Sequence, residues 1–316
     1  METTIRIEKL AKRFGAVRAL HGLSMRVEPG MVYGFLGPNG AGKTTTLRIL
    51  AGLARADQGQ AWINNQPVAM HSLSQRMLLG VLPEEPAFYP WMTAREYLRD
   101  FVAPLYRLPA DEAARRTKEL LGLVGLTSAA NRRIAGFSRG MRQRLGLAQA
   151  LLHRPSVLLL DEPVSALDPA GRKEVLELIE GLQGQATILL STHILSDVER
   201  VCDTVGIIDK GRLVIESDKQ ALLDRYALPV IEIEAEHGFQ DWPQKLAQMS
   251  FVDQVQQDGR LLRVGVRDIQ QAQHELLASL TANHLLIRRF ELTRPSLEDI
   301  FLKLTGAETI IERAEG

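Results

Sequence analysis

Residues 35–53 read FLGPNGAGKTTTLRILAGL, and this stretch decides the fold. Gly37, Gly42, Lys43 and Thr44 fit the spacing G-x-x-x-x-G-K-[ST]. Ahead of the loop, MVYGFLG has the length and apolarity of a buried strand. Behind it, Thr46, Leu47, Leu50 and Leu53 recur at helical spacing. Glycines let successive backbone N–H groups converge on one anion, and a helix starting at that point adds its dipole. A chance glycine turn would lack both flanks. The predicted phosphate cradle comprises Gly37, Pro38, Asn39, Gly40, Ala41, Gly42, Lys43, Thr44 and Thr45. In such a P-loop Lys43 bridges the β- and γ-phosphates, and the Thr44 hydroxyl is a ligand for Mg²⁺.

A P-loop serves kinases, GTPases and ATPases alike. The segment SVLLLDEP ends an unbroken apolar run over residues 157–160, as a parallel strand covered on both faces does. Asp161 then falls at the carboxyl end of the strand, where doubly wound sheets hold their ligands and where a carboxylate reaches Mg²⁺. Glu162 follows with a different side-chain direction and is a candidate to take a proton from an attacking water. A lone DE after a strand reads as a solvated loop; its partnership with the P-loop gives it chemistry. No NKxD-type guanine reader is present.

The remaining motifs are FSRGMRQRLGLAQALLHRP over residues 137–155, SALD over 165–168 and STH over 191–193. With the order of P-loop, signature, acidic strand end, D-loop and H-loop, residues 3–215 resemble the ATP-binding subunits of ABC transporters. The sub-branch it resembles is that of bacterial drug and ion exporters, whose ATPase carries a small extra C-terminal domain. The resemblance implies ATP and Mg²⁺ as cofactors, and a head-to-tail dimer, of identical or of two different chains, that sandwiches two nucleotides. Each would lie between the P-loop of one copy and Ser138 and Gly140 of the other. An exposed helix start there offers free N–H groups, although an N-cap serine alone is the ordinary reading. By the same resemblance His193 contacts the γ-phosphate and steadies Glu162, Asp168 shapes the dimer seam, and Phe14 stacks on adenine. An isolated histidine or phenylalanine would otherwise read as core or surface.

Two positions depart from the family pattern. The glutamine of the Q-loop falls on Glu84 in GVLPEEP, with Glu85 as the neighbouring register. A carboxylate reaches Mg²⁺ but donates no hydrogen bond when ionised. The signature reads FSRGM, so Arg139 stands where glycine is usual and Met141 where glutamine is usual.

Residues from about 85 to 150 carry apolar side chains at three- and four-residue spacing, the pattern of a helical subdomain. Its entrance, PAFYPWM, is aromatic in a chain with 5% aromatic residues, and suits either a buried staple or a groove for a membrane partner's helix. The expected domains are 1–217 for the ATPase, 218–228 for a linker, 229–306 for an accessory domain and 307–316 for a tail. In the accessory domain VIEIEAE, DWPQKLAQMS, the hairpin FVDQVQQ–DGR–LLRVGV, a helix through Ile269, Ala272, Leu276, Leu277 and Leu280, and LLIRRFEL give the order βαββαβ. A last helix would carry Leu297, Ile300, Phe301 and Leu304. The expected fold is thus α/β, a P-loop ABC ATPase with a helical subdomain, joined to a small α+β ferredoxin-like domain with a dimer-contact or regulatory role.

Composition narrows the partners. Of 316 residues, 38 are Lys or Arg and 38 are Asp or Glu, so no charge field argues for nucleic acid. The single cysteine, Cys202, cannot make an internal disulfide. METTIRIEKL has no signal-peptide core, and no apolar run approaches a membrane span. Action at a membrane therefore calls for a separate transmembrane permease, with this chain peripheral on the cytoplasmic face. The alternative is an ATPase acting on ribosomes or nucleic acid; such relatives carry paired cassettes, coiled coils or zinc modules, which are absent here.

Overall fold

The computed structural model describes residues 3–165, 167–225, 229–293 and Leu297. The chain divides into two compact units, Met1–Lys219 and Gln220–Gly316. In the first, β1 (Ile5–Phe14) and β2 (Val17–Val27) pair antiparallel, and β3 (Val32–Leu36) runs through the glycine loop into α1 (Lys43–Leu50). β4 (Gln58–Ile63) and β5 (Gln66–Pro67) complete an antiparallel sheet of order β2-β1-β4-β5. α1 stops three residues before the expected Leu53, which is 60% exposed. Gly52, at φ +67°, ends it: the Gly52 N–H bonds to Ile49 O and the Leu53 N–H to Arg48 O, closing the helix through a left-handed cap.

α2 (Leu73–Leu78) leads into β6 (Leu79–Leu82), after which the helical subdomain begins. A reciprocal capping box between Thr93 and Glu96 starts α3 (Ala94–Glu96), a π-helical stretch Tyr97–Val102 follows, then α4 (Ala103–Leu105) and α5 (Ala110–Leu123). Two 3₁₀ turns, Thr127–Ala129 and Ile134–Gly136, bring the chain to α6 (Arg139–Leu151). The apolar side of that helix and its C-cap, Leu145, Leu147, Ala148, Leu151 and Leu152, is buried.

The chain then returns to β7 (Val157–Asp161), α7 (Pro169–Gly181), β8 (Thr187–Thr192), α8 (Leu195–Val201), β9 (Thr204–Asp209) and β10 (Arg212–Asp218). The large sheet has the order β10-β9-β3-β8-β7-β6, parallel except for β10. Every residue of β3, β7 and β8 is buried, which is why these segments read as unbroken apolar runs. The consequence for function is positional. The glycine loop leaves β3, Asp161 and Glu162 end β7, and His193 follows β8, so neighbouring parallel strands deliver all three to one edge of the sheet.

The stretch 218–228, read from sequence as a linker, is helical over α9 (Lys219–Arg225), pinned by the fully buried Leu222. In the second unit β11 (Val230–Ala235), α10 (Trp242–Leu246), β12 (Val252–Asp258), β13 (Leu261–Val266), α11 (Ile269–Ala282) and β14 (Ile287–Thr293) follow the expected order. The sheet order β12-β13-β11-β14 is antiparallel throughout, the split βαβ arrangement. Ala272, Leu276 and Leu280 turn into its core, whereas Leu277, which shared their spacing, lies outside it and exposed. The expected closing helix falls outside the described residues, save for the buried Leu297.

Candidate functional site

The glycine loop is shaped by what a side chain would hit. A Cβ on Gly37 would stand 2.3 Å from Ile208 O, and Gly42 sits at φ +109° with Ala19 O 2.8 Å from the same notional atom. The turn therefore lies flush against the strands, tied by the Gly37 N–H to Thr192 O at 3.3 Å and by the Ala41 N–H to Pro38 O at 3.2 Å. Inside it the Lys43 ammonium donates to Gly37 O at 2.6 Å and to Pro38 O at 3.3 Å. Burial lowers the Lys43 pKa, and the negative charge of Glu162 works against that shift. Thr46 Oγ1 bonds back to Gly42 O at 2.9 Å, locking the first turn of α1.

A cavity of about 280 Å³ opens on this loop. Residues 38–45 form one wall, and Ala19, Glu84, Glu162, Ser165 and His193 the others. Glu162 is the hub. Its Oε1 lies 3.5 Å from Lys43 Nζ and 2.9 Å from His193 Nδ1, and its Oε2 is 3.0 Å from the same ring nitrogen. The carboxylate is buried, and its backbone holds φ +48°, a left-handed conformation uncommon outside glycine. The backbone is secured from three sides. The Glu162 N–H bonds to Ser191 O at 3.1 Å, Ser165 Oγ donates to Glu162 O at 3.1 Å, and Gln143 Nε2 reaches the same oxygen at 3.4 Å. That over-determination is what sustains a strained residue at a working site.

Asp161 is buried beside it and accepts a hydrogen bond from Ser191 Oγ. Among the described residues no cluster of three or more His, Cys, Asp or Glu side chains is arranged to hold a metal by itself. The available donors are a buried carboxylate at Asp161, the Thr44 hydroxyl and the Glu84 carboxylate at the cavity wall, all hard oxygens. They fit Mg²⁺, which keeps waters and shares its shell with substrate phosphates instead of demanding a protein cage.

The structure brings together residues 38–45, Glu84, Glu162 and His193 around one cavity. The other candidates stand outside its lining. Phe14 ends β1 half-exposed, with Lys12 Nζ 5.2 Å from its ring centroid. Ser138 caps α6, accepting from the Met141 N–H at 3.2 Å, and Gly140 lies in the first turn of that helix. Asp168 caps α7, accepting from the Gly171 N–H at 3.3 Å. The two departures from the family pattern meet: Arg139 Nη2 lies 3.8 Å from Glu85 Oε1, an exposed ion pair. Of the two Q-loop registers, Glu84 faces the cavity and Glu85 faces Arg139. Sequence reasoning missed Ser191, Gln143 and Ser165 as supports of the acidic pair. Ser165 and Ser191 were quoted within motifs, and Gln143 looked like one polar residue on an amphipathic helix; nothing but tertiary contact marks it.

The chain is similar to known proteins along nearly its whole length. A family model described as ABC transporter matches residues 20–165, and one described as ATP-binding protein DrrA1-3-like, C-terminal domain, matches residues 218–305. The daunorubicin resistance ATP-binding protein DrrA3 of Streptomyces coeruleorubidus is 34% identical over 99% of both chains. The bacitracin transport ATP-binding protein BcrA of Bacillus licheniformis is 37% identical over 98% of this chain and 100% of its own length. Among solved structures, an ATP-binding subunit of an ABC transporter superposes with a TM-score of 0.65 at 32% identity, covering 71% of this chain and 93% of that one. A dimeric ATP-binding cassette bound to ADP and Pi shares the fold, with a TM-score of 0.63 at 24% identity over 68% of this chain and 98% of that one.

Proposed function

The chain belongs to the ABC transporter family of ATP-binding, ATP-hydrolysing subunits, and from that premise we propose that it is the motor of an exporter whose pore is a separate transmembrane permease. Family membership sets it with transport ATPases and not with those acting on ribosomes or nucleic acid. No helix among the described residues is long and apolar enough to cross a membrane; the proposed place of action is beside the permease, on the cytoplasmic face of the membrane. Export is the proposed direction, supported by the likeness to a daunorubicin resistance and a bacitracin transport ATP-binding protein.

The observation that carries the reading is the Glu162 carboxylate held between Lys43 and His193 over the glycine loop. Residues 38–45 bind the triphosphate through backbone N–H groups. Lys43 neutralises its β- and γ-oxygens. Thr44 and Asp161, with Glu84, would hold Mg²⁺, which supplies charge neutralisation between those phosphates. Glu162 takes the proton of a water as its oxygen attacks the γ-phosphorus in line; the bond to the bridging oxygen breaks, and ADP and phosphate leave. His193 keeps the carboxylate aimed. Ser138 and Gly140 of a second copy close over the γ-phosphate, Asp168 lines the seam and Phe14 stacks on adenine. Products of like charge then part the copies, and the helical subdomain passes that motion to the permease.

The test is Glu162→Gln. Removing a positioned base costs about 10²–10⁴ in rate, while the amide still fills the site. Phosphate release should nearly stop, and light scattering should show a dimer in ATP that the parent chain forms only transiently. Turnover equal to the parent's would remove Glu162 from the role of base.

A further inference from the structure

The helix that follows the Asp168 cap and the helix that follows His193 are tied at their starts by a half-buried arginine on a buried aspartate, and further along at the surface by Arg200 with Glu177. Arg172 Nε donates to Asp197 Oδ1 at 2.8 Å, and Arg172 Nη2 reaches the same oxygen at 2.7 Å. A third bond runs from Arg172 Nη2 to Ser196 Oγ at 3.1 Å. Asp197 is 1% exposed, and its Oδ2 has no hydrogen-bond partner. A buried carboxylate with a bare oxygen is costly, and burial raises its pKa against the pull of Arg172. The charges on Glu162 and His193 also act on it, so it stands within electrostatic reach of the hydrolytic pair.

Connectivity gives the pair its meaning. Residues 165–168 lead into α7, with Ser165 bonded to Glu162 O and Asp168 capping the helix; Arg172 sits in the first turn of α7. His193 leads into α8, where Asp197 lies, and the junction is set by the Ile194 N–H bonding to Thr192 Oγ1 at 3.0 Å. We propose that Arg172 and Asp197 are positioning residues: their ion pair fixes the spacing between the Asp168 turn and His193, so that a partner pressing on Asp168 alters how His193 holds Glu162. The inference rests on the function proposed above and adds a link between the dimer seam and the base. α8 has only seven residues and presents Asp197, Val198 and Val201 to the interior. Its other ties, Arg200 Nη2 to Glu177 Oε1 at 3.2 Å and Lys219 Nζ to Glu199 O at 2.7 Å, grip its C-terminal half, so Arg172 is what holds the turn next to His193, and displacement of about 1 Å at a catalytic group costs up to about 10²-fold.

The experiment uses the full chain and measures ATP hydrolysis against ATP concentration for Asp197→Asn, Arg172→Gln and the double variant. Asp197→Asn should lower kcat about tenfold or more with KM within about twofold. The Hill coefficient should fall toward that of independent sites, because the seam no longer reports to the base. Adding Arg172→Gln to Asp197→Asn should cost little more, as expected of residues acting as a unit. A purely structural pair would change the melting temperature and leave kcat and the Hill coefficient of the folded protein intact, and that outcome overturns the proposal. Additive losses overturn it too. If Asp197→Asn fails to fold, Arg172→Lys, which keeps the charge and loses the fork, carries the same test: unchanged kcat sinks the idea. Glu162→Gln run in parallel separates the two readings. If it stops turnover while Asp197→Asn does not, only the strut is lost; if it does not stop turnover, the site assignment fails first.

Discussion

Lys43 Nζ stands 3.5 Å from Glu162 Oε1, so the cation proposed to grip phosphate and the carboxylate proposed to polarise water hold each other inside a buried site. Neither charge is stranded, and each has a better partner to turn to when a nucleotide enters: the triphosphate for the lysine, a water for the carboxylate. A charge-assisted hydrogen bond contributes about 1.5–3 kcal/mol. Lys43→Ala should therefore raise the Kd for ATP about ten- to a hundred-fold. Titration with a fluorescent nucleotide reads this directly, and an unchanged Kd would show that the phosphates lie elsewhere.

Glu84 gives the second prediction. It puts a further negative charge on a cavity that already holds Glu162, in place of the neutral amide usual in the family. Glu84→Gln should raise the Mg²⁺ concentration needed for half-maximal turnover and, in excess chelator, tighten the binding of bare nucleotide, because one repulsive charge has gone. A Mg²⁺ titration that does not move would remove Glu84 from the metal's surroundings.

The large sheet was legible because its central strands β3, β7 and β8 are buried on both faces and so read as apolar runs, and because glycine spacing at 37 and 42 has a steric cause. The split βαβ order of the second unit followed from alternating strands and a glycine turn at 259. What escaped was set by neighbours in space. Leu53 kept helical spacing past a helix that Gly52 had already ended. Leu277 shared a spacing with core residues yet points outward. Gln143, Arg172 and Asp197 matter through partners 19 to 25 residues away, and no local pattern marks such contacts.

His153 supplies a pH dependence. Its ring stacks on Tyr106 at 3.7 Å between centroids, and Nε2 bonds Leu79 O at 3.0 Å, which makes Nε2 the donor. Burial lowers its pKa to about 4 from 6.5, the backbone bond opposing. With the folded value below the unfolded one, the unfolded chain binds the extra proton between these values, so stability is full above pH 6.5 and falls as pH drops toward 4. The loss is at most about 3 kcal/mol. His153→Phe keeps the stack, loses the bond to Leu79 O, and should flatten the fall in melting temperature over that window while lowering it at neutral pH. An acid limb as steep as the parent's would assign the effect to other groups.

The aromatic entrance to the helical subdomain makes the last prediction. Tyr89 packs edge-on to Phe101 at 4.8 Å and lies 5.1 Å from Trp91, and Phe88 meets Tyr97 edge-on at 5.1 Å. Part of this cluster is the staple that sequence suggested: Tyr97 is buried and donates to Gln149 Oε1 of α6 at 2.8 Å. Trp91 is different, being 65% exposed, and Tyr89 is exposed as well. Burying one large aromatic against a partner contributes about 1.5–3 kcal/mol. The segment follows Glu84 and Glu85 directly, so a helix docked on it would feel any shift of the cavity wall. Trp91→Ala should therefore leave ATP binding and melting temperature near the parent's, yet cut retention by the permease in detergent pull-downs about tenfold or more. Tyr97→Phe, which loses the bond to Gln149, should show the opposite balance: lower stability with docking retained. If Trp91→Ala holds the permease as tightly as the parent, the exposed aromatics are not the contact, and transmission must leave the ATPase by another surface.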